Sequence, residues 1–300
     1  MALTFASRPS GDIGVPPLLR KVSRSFDLAG LDSTLARAGS LEARLATSEK
    51  DVRRAQKLRY RVFFEEGGAV PDPTARLLSR RDVCRFDSVA DHLIVVDRSD
   101  THRDHTPRVV GVYRLLRQDV AERNFGFYSA SEFDVESLIA RRRDIRFLEV
   151  GRACIDVSHR RKHVLELLWR GLWAYGRHHK IDAMIGCASL PGADASIHAG
   201  AIRTLAALGG DPAWRVAPRP GRADATLAVD GAEPLDPRTL LRVLPPLVKG
   251  YWRLGATFSP TPVVDRAFDT TDLFVVMPLR EIEARYLQYF GVEAPPPLAA

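Results

Sequence analysis

The chain has 300 residues, of which 45% are hydrophobic, 8% aromatic and 27% charged, and its formal net charge at pH 7 is +7. This length and composition suit a globular protein of one or two domains. Three cysteines, Cys84, Cys154 and Cys187, lie scattered without C-x-x-C spacing. Neither a disulfide framework nor a zinc site is therefore indicated, and a reducing cytosol is the compartment that fits.

The N-terminus has no basic segment followed by an apolar one, and no apolar run approaches the roughly 18 residues of a membrane span. We therefore expect neither export nor insertion into a membrane. The positive charge predicts affinity for a polyanion. Its arginine clusters, at 141–143 and 160–162, lack the interleaved aromatic residues that stack on bases. Nucleic acid is thus disfavoured against anionic lipid or an acidic protein.

Residues 1–40 are rich in Ser, Gly, Pro and Arg and predict a loosely ordered arm, with a short helix around residues 31–38. Alternation predicts a strand at 41–46, and Ser48 with Asp51 forms a capping box that opens a helix running to Phe63. Two strands follow, at 92–97 and 109–116. The polar tip between them indicates a hairpin.

The middle of the chain predicts a strand–helix–strand unit. Its strands are residues 147–157 and 184–190, its helix is 164–179, and a short helix at 133–139 precedes it. The later elements are a helix at 196–208 and, in a last section that contains residues 240–254, a strand at 273–279 and a helix at 281–290. Hairpin strands followed by such a unit predict an α/β sandwich with a mixed sheet, in one domain with decorated ends.

A basic turn joins the first central strand to its helix, and a helix N-terminus is a place where backbone N–H groups can hold a phosphate. We therefore predict that the turn contacts a phosphate-bearing donor, through Arg160, Arg161, Lys162, His163 and Val164. The alternative is that these side chains are simply solvated at the start of the helix.

Glu149 stands inside the apolar strand FLEVGRACI, where a carboxylate is costly unless it is paired or used. Arg152 can pair with it only if a bulge at Gly151 brings both side chains to one face. We predict that Glu149 removes a proton from an attacking amine, with a structural ion pair as the alternative. Arg114 is likewise a charge within a strand, and we expect it to meet Glu149 or a substrate carboxylate.

Seven phrases, taken in order, resemble the ornithine–acyl-carrier-protein N-acyltransferases, a branch of the GNAT acyltransferases. They lie at 58–66, 84–97, 109–116, 148–156, 166–194, 244–256 and 268–279, and so cover most of residues 45–290. The phrases LRYRVF and FD followed by HLIVVD, and the strand with Glu149 and Arg152, also resemble the acyl-homoserine-lactone synthases of the same fold.

The resemblance implies a GNAT-like α/β (α+β) fold: a mixed sheet with helices on both faces and a C-terminal extension. Two central strands would splay apart and hold the pantetheine arm of the donor between them. The N-terminal region would form the acceptor side. There Arg59, Glu65, Glu66 and Asp87, together with Arg114 and Arg152, would bind the amino acid, the acids holding its second amine. Solvated helix-end charges are the alternative for Glu65 and Glu66.

Acetyl-CoA-using relatives carry a glycine-rich turn that wraps a pyrophosphate, and this chain has a basic turn without glycine there. That departure favours a donor on acyl carrier protein, whose acidic surface the turn would attract, over coenzyme A. We expect no other cofactor, no metal, and no covalent intermediate on Cys154 or Cys187.

The sequence thus predicts an enzyme that moves a long, 3-hydroxylated fatty acyl chain from acyl carrier protein to the α-amine of L-ornithine, giving lyso-ornithine lipid. Lysine or glutamine as acceptor, a homoserine-lactone synthase, and a non-catalytic basic adaptor stay open. The expected location is cytoplasmic and peripheral on the anionic inner membrane. The expected organisation is an arm at 1–40, a catalytic domain at 41–293 and a tail at 294–300.

Overall fold

The computed structural model describes residues 28–70, 79–101, 105–160, 162–208, 210–222 and 231–282. Its strands are β1 Thr34–Ala38, β2 Leu41–Leu45, β3 Asp91–Thr101, β4 Pro107–Arg117, β5 Phe147–Ile155, β6 Ala183–Pro191, β7 Thr257–Phe258, β8 Val263–Asp265 and β9 Thr270–Pro278. Its α-helices are α1 Glu49–Tyr60, α2 Gln118–Glu122, α3 Val135–Arg141, α4 Lys162–His178, α5 Ala199–Leu208, α6 Pro237–Val243 and α7 Pro246–Arg253. The predicted helix at 281–290 and the tail lie almost wholly outside the described residues.

The strands of the described segments form one mixed sheet in the order β1-β2-β3-β4-β5-β6-β9-β7, with β8 also on β9. Strands β1 to β5 run antiparallel in sequence, which confirms the predicted hairpin of β3 and β4. The predicted helix start at Ser48 is confirmed, because its side chain accepts a hydrogen bond from the Asp51 backbone N–H at the start of α1. The capping box is only half formed, because the Asp51 carboxylate accepts from the Thr47 backbone N–H instead of that of Ser48. The helix continues as a π-helix over Arg61–Glu66.

The short helix expected at 31–38 is wrong, because Thr34–Ala38 form the edge strand β1. A two-residue turn follows, with Gly39 at a φ of 59°, and it folds the chain back so that Ala38 pairs with Leu41. Such a turn matches the twist of a hairpin when its residues adopt positive φ. The sheet therefore begins inside the segment that we assigned to the arm, of which residues 1–27 lie outside the described part.

The one parallel pair in the described sheet, β5 with β6, is very short. Phe147–Glu149 pair with Ala183–Ile185, and no pairing is recorded between the described residues beyond them. At the point of divergence a Cβ on Gly186 would lie 2.4 Å from the carbonyl oxygen of Val150, so only glycine fits. The two strands therefore separate after three residue pairs.

The β4–β5 pairing is irregular at the same level of the sheet. Arg114 pairs with Gly151 and Val112 with Cys154, so two residues of β5, Arg152 and Ala153, oppose one of β4. Arg152 has a φ of 52°. The bulge thus lies one residue later than the position expected from the sequence, and it bends β5 away from β6.

Helices cover both faces of the sheet, as predicted. One face packs against α4 to α7 in a core that includes Trp169, Leu172 and Trp173. The other face packs against α1 over β3 and β4, and against α3 and the segment around Trp214 over β5, β6 and β9. Residues after α5 supply α6, α7 and β7 to β9, which confirms a C-terminal extension built into the sheet.

None of the helices in the described ranges combines the length and the apolar character needed to cross a lipid bilayer.

Candidate active site

A cleft of about 560 Å³ opens where β5 and β6 separate. The walls come from β5, β6, α7, the π-helix and the chain between β8 and β9. Among the residues that line it are Arg114, Tyr128, Glu149, Gly151, Arg152, Arg160, Gly186, Cys187, Val248, Tyr251, Asp265, Phe268, Thr270 and Asp272. Apolar and charged side chains thus share one cavity at the strand split.

Glu149 is the last residue of β5 that pairs with β6, and it is 4% exposed. Its Oε2 accepts a hydrogen bond from the Tyr128 backbone N–H at 2.7 Å, and its Oε1 accepts from the backbone N–H of Ser129 at 2.8 Å and from its Oγ at 2.5 Å. These three donors fix the carboxylate at the inner end of the cleft. Neither arginine that we expected beside it forms an ion pair with it among the described residues.

Arg114 and Arg152 instead form a cationic wall around Tyr128. Their guanidinium carbons lie 5.0 and 4.7 Å from the centre of its ring, and Arg152 Nη2 is 3.4 Å from its hydroxyl. Arg152 Nε lies 3.2 Å from the Asp82 carboxylate, and Arg114 Nη1 lies 3.7 Å from Asp87. Arg114 is 2% exposed, and its Nη1 has no hydrogen-bond partner among the described residues.

Arg59 and Asp87, both predicted to touch the acceptor, lie behind this wall. Arg59 is fully buried; it donates to Asp82 at 2.7 Å and, through two nitrogens, to the Asp87 carboxylate at 2.9 and 2.8 Å. Burial alone would raise the pKa of Asp87, but Arg59 holds it well below its ordinary range. The two residues support Arg114 and Arg152 from beneath and are not part of the cleft lining in the described structure.

Glu65 and Glu66 form ion pairs with arginines at the end of the π-helix. Glu65 pairs with Arg80, and Glu66 pairs with Arg160, which itself lines the cleft. Their carboxylates are therefore already engaged. This placement is the one expected if they are helix-end charges.

The start of α4 presents two of the predicted phosphate-binding side chains to solvent. Lys162 and His163 are 68% and 72% exposed, and both lie within 3.6 Å of the Glu166 carboxylate. Val164 is buried against Gly111 in the core, so its side chain cannot reach a donor. Arg161 lies outside the described residues.

The sequence reasoning missed an acidic cluster across the cleft from the arginines. One ligand atom each of Glu132, Cys187 and Asp272 lies within 4.8 Å of the others. Burial, with Asp272 and Asp265 nearby, raises the pKa of Glu132 to about 7, and burial raises that of Asp272 to about 6. Asp272 lies within β9 opposite Ser189 of β6. An acidic residue inside the apolar stretch DLFVVMP was the signal that could have found it.

Similar proteins are known at the level of both sequence and structure. The acetyltransferase (GNAT) domain family matches residues 58–170. Among solved structures, the CoA-dependent acyl-homoserine lactone synthase BjaI covers 84% of this chain and 89% of its own, at 14% identity and a TM-score of 0.44.

Curated relatives are much more similar. An L-ornithine N(alpha)-acyltransferase of Agrobacterium fabrum (strain C58) is 46% identical over 88% of this chain and 89% of its own. Another, from Rhizobium meliloti (strain 1021), is 45% identical over 94% of this chain and 95% of its own. With nearly the full length of both relatives matched, the chain belongs to the L-ornithine Nα-acyltransferase family.

Proposed function

We propose that this protein is an N-acyltransferase that moves a fatty acyl chain, with a 3-hydroxyl group, from acyl carrier protein to the α-amine of L-ornithine. The product is lyso-ornithine lipid. The observation that carries the proposal is the cleft at the split between β5 and β6, in a chain 46% identical to a protein of that name.

The split supplies a place for the donor. Beyond Glu149 and Ile185 the facing edges of β5 and β6 make no recorded pairing with each other, and unpaired strand edges can hydrogen-bond the amides of a pantetheine arm. Val248 and Tyr251 of α7 line the same cavity and offer apolar contact to the acyl chain. The thioester then lies between the two strands, at the depth of Glu149.

The acceptor side follows from charge. Arg114 is buried and Arg152 is partly buried on the cleft wall, and together the two cations suit the α-carboxylate of an amino acid. This places the neighbouring α-amine near Glu149. Glu149 accepts a proton from the amine, directly or through water, and the nitrogen attacks the thioester carbonyl. The new C–N bond forms as the C–S bond breaks, and the pantetheine sulfur leaves as the thiol after taking a proton.

The partners follow from the surface around the cleft. Arg160 lines the cleft, and the exposed side chains of Lys162 and His163 follow it at the start of α4; these basic residues suit the acidic surface of acyl carrier protein. No additional cofactor or metal is needed for this chemistry. The net charge of +7 supports a cytoplasmic protein that contacts the anionic inner membrane peripherally, where its lipid product is delivered.

Lipid mass spectrometry tests the reaction. A host without ornithine lipids would express the protein or its Glu149→Gln variant, and we expect lyso-ornithine lipid only from the unmodified protein. Purified protein with 3-hydroxyacyl carrier protein and ornithine should give the same product, and acyl-CoA should be a poorer donor. A folded protein that yields no N-acyl amino acid, or that yields a lactone, would contradict the proposal.

A further inference from the structure

The acidic cluster, defined as Glu132, Asp272 and Asp265 with the Cys187 thiol, has no cation in direct contact with Glu132 or Asp272 among the described residues, although Arg222 and Arg152 act on these two carboxylates from a greater distance. Glu132 and Asp272 are 6% and 7% exposed, and neither forms an ion pair with any Lys, Arg or His of the described residues. Buried carboxylates are normally paired or bound to a cation. This cluster is therefore incomplete as the protein stands alone.

The cluster also has an unsatisfied atom that faces the cleft. Asp272 lines the cavity, and its buried Oδ1 accepts no hydrogen bond from any described residue. The buried Oγ1 of Thr270, which also lines the cavity, has no hydrogen-bond partner among the described residues either. Two buried polar atoms left open at one place indicate a polar ligand that supplies hydrogen-bond donors.

The ligand that fits is a primary ammonium group. The Cys187 Sγ is 3.6 Å from Glu132 Oε2 and donates to it, and burial beside Glu132 and Asp272 raises the pKa of the thiol well above its ordinary value. The cluster therefore offers carboxylate oxygens rather than a thiolate. An ammonium carries three donors and one positive charge, which matches two or three carboxylates that accept few internal hydrogen bonds.

Charge is separated across the cleft in the same sense as along ornithine. The cations Arg114 and Arg152 belong to β4 and β5, the cleft-lining acids Asp265 and Asp272 belong to β8 and β9, and Glu149 lies where β5 and β6 separate. A bound ornithine would therefore place its carboxylate at one wall and its side-chain ammonium at the other. Only its α-amine would then lie beside Glu149.

Resting on the function proposed above, we infer that Asp272 and Asp265, which line the cleft, form the binding site for the side-chain ammonium of the acceptor amino acid. Glu132, which contacts Cys187 of the lining but is not itself part of it, adds negative charge to this site. The site selects a basic amino acid over a neutral one. Because it retains the second amine as an ammonium ion, which is not a nucleophile, it also directs acylation to the α-nitrogen. Glu65, Glu66 and Asp87, which we expected to hold this amine, are engaged by arginines instead.

The test compares ornithine with norvaline, which has the same carbon skeleton without the second amine. kcat/KM for both acceptors would be measured with the unmodified protein, Asp272→Asn and Glu132→Gln. We expect the preference for ornithine to fall about tenfold or more in each variant, through KM, because a buried charge pair loses one partner. We also expect some Nδ-acylornithine from Asp272→Asn, seen by fragment-ion mass spectrometry. An unchanged preference in both active variants would overturn the inference while leaving the proposed function intact.

The matched control is Asp182→Asn. Asp182 is 8% exposed, immediately precedes β6 at the end away from Asp272, and already has Arg146 and Arg280 as partners. Its variant should keep the ratio of ornithine to norvaline activity. A fall as large as in Asp272→Asn would mean that loss of any buried aspartate disturbs the cleft, and would overturn the assignment.

A binding measurement without acyl donor separates the two proposals. We expect ornithine to raise the melting temperature of the unmodified protein, and norvaline to leave it unchanged. Ornithine should not raise the melting temperature of Asp272→Asn. If ornithine binds in this way but is never acylated, the proposed reaction fails and the ammonium site stands. A different outcome is that Zn²⁺ or Mg²⁺ alone stabilises the unmodified protein but not Asp272→Asn, while ornithine stabilises neither. The cluster would then be a metal site, and the inference would fail.

Discussion

On the wall of the cleft built by α1, β4 and β5, the arginines Arg59, Arg114 and Arg152 meet two buried aspartates, Asp82 and Asp87. On the wall built by β6 and β9, buried carboxylates meet one another and a thiol. The first wall is nearly neutral through internal ion pairs, and the second is not. The comparison indicates that folding itself compensates most of the charge on the first wall, whereas the charge on the second wall is left without an ion-pair partner among the described residues.

The largest effect should come from removing one partner of the buried ion pairs on the first wall. Arg59→Met leaves Asp82 and Asp87 buried without their main partner, so we expect the free energy of unfolding to fall by about 3–5 kcal/mol. Denaturant unfolding measures it. Arg98→Met is the control, because Arg98 is 59% exposed and its partner Glu42 keeps Thr34 and Arg37, so a loss below about 1 kcal/mol is expected. Equal losses in the two variants would contradict the comparison.

Glu149, which lies between the two walls, should give the next largest effect. Glu149→Gln retains the size of the side chain but removes the proton acceptor, and we expect kcat to fall about 100-fold or more with KM for ornithine little changed. Ser129→Ala removes the hydroxyl that donates to Oε1 and keeps the carboxylate, so its loss should be much smaller. Full activity of a folded Glu149→Gln protein would exclude the base.

A pH series tests the uncompensated wall. The folded protein holds a proton on Glu132 up to a pKa of about 7, whereas the unfolded chain releases it near the ordinary value of 4.5. The stability of the unmodified protein therefore falls as pH rises through this window, and Glu132→Gln escapes that loss. We expect the variant to gain on the order of 1–3 kcal/mol relative to the unmodified protein between about pH 5 and pH 8.

The stability that Glu132→Gln gains over the unmodified protein should shrink when ornithine is present. Only the unmodified protein has the ionised Glu132 carboxylate that the ornithine ammonium compensates. Thermal unfolding at both pH values, with and without ornithine, measures this. A difference between the two proteins that does not change with pH would mean that Glu132 is compensated in a way that the comparison misses.

The smallest effect belongs to cations that are solvated rather than buried. Lys162→Ala at the mouth should raise KM for acyl carrier protein about two- to fivefold at low salt, and the difference should vanish at high salt. Lys57→Ala, an exposed lysine of α1, is the matched control. Salt-independent kinetics with Lys162→Ala would mean that this residue does not contact the carrier.

Local signals in the sequence predicted much of the fold. The helix N-cap at Ser48, the alternation in β3 and β4 and the central strand–helix–strand unit all depend on a few neighbouring residues, and all are confirmed. The edge strand β1 was missed because its stability depends on pairing with β2, which a propensity argument does not include.

Only part of the site could be predicted from the sequence, for the same reason. Glu149 stood out because a charge inside an apolar strand demands an explanation, and the same argument applied to Asp272 would have found it. Its meeting with Glu132 joins residues 140 positions apart in the chain, and Arg59 reaches Asp87 across 28 positions. Periodicity carries no information about such pairs. This is why the acids that hold the second amine were sought in the wrong segment.

The unequal pairing of β6 has a consequence for the order in which the chain can fold. β6 pairs with β5 over three residue pairs and with β9 over nine. During synthesis the strands β1 to β5 can assemble while β6 still waits for a partner that arrives some 80 residues later. Until then β6 is a largely unpaired, apolar edge, the kind of surface on which nascent chains associate. Protection of that edge by a chaperone, or a pause before β9 emerges, would therefore govern the yield of native enzyme.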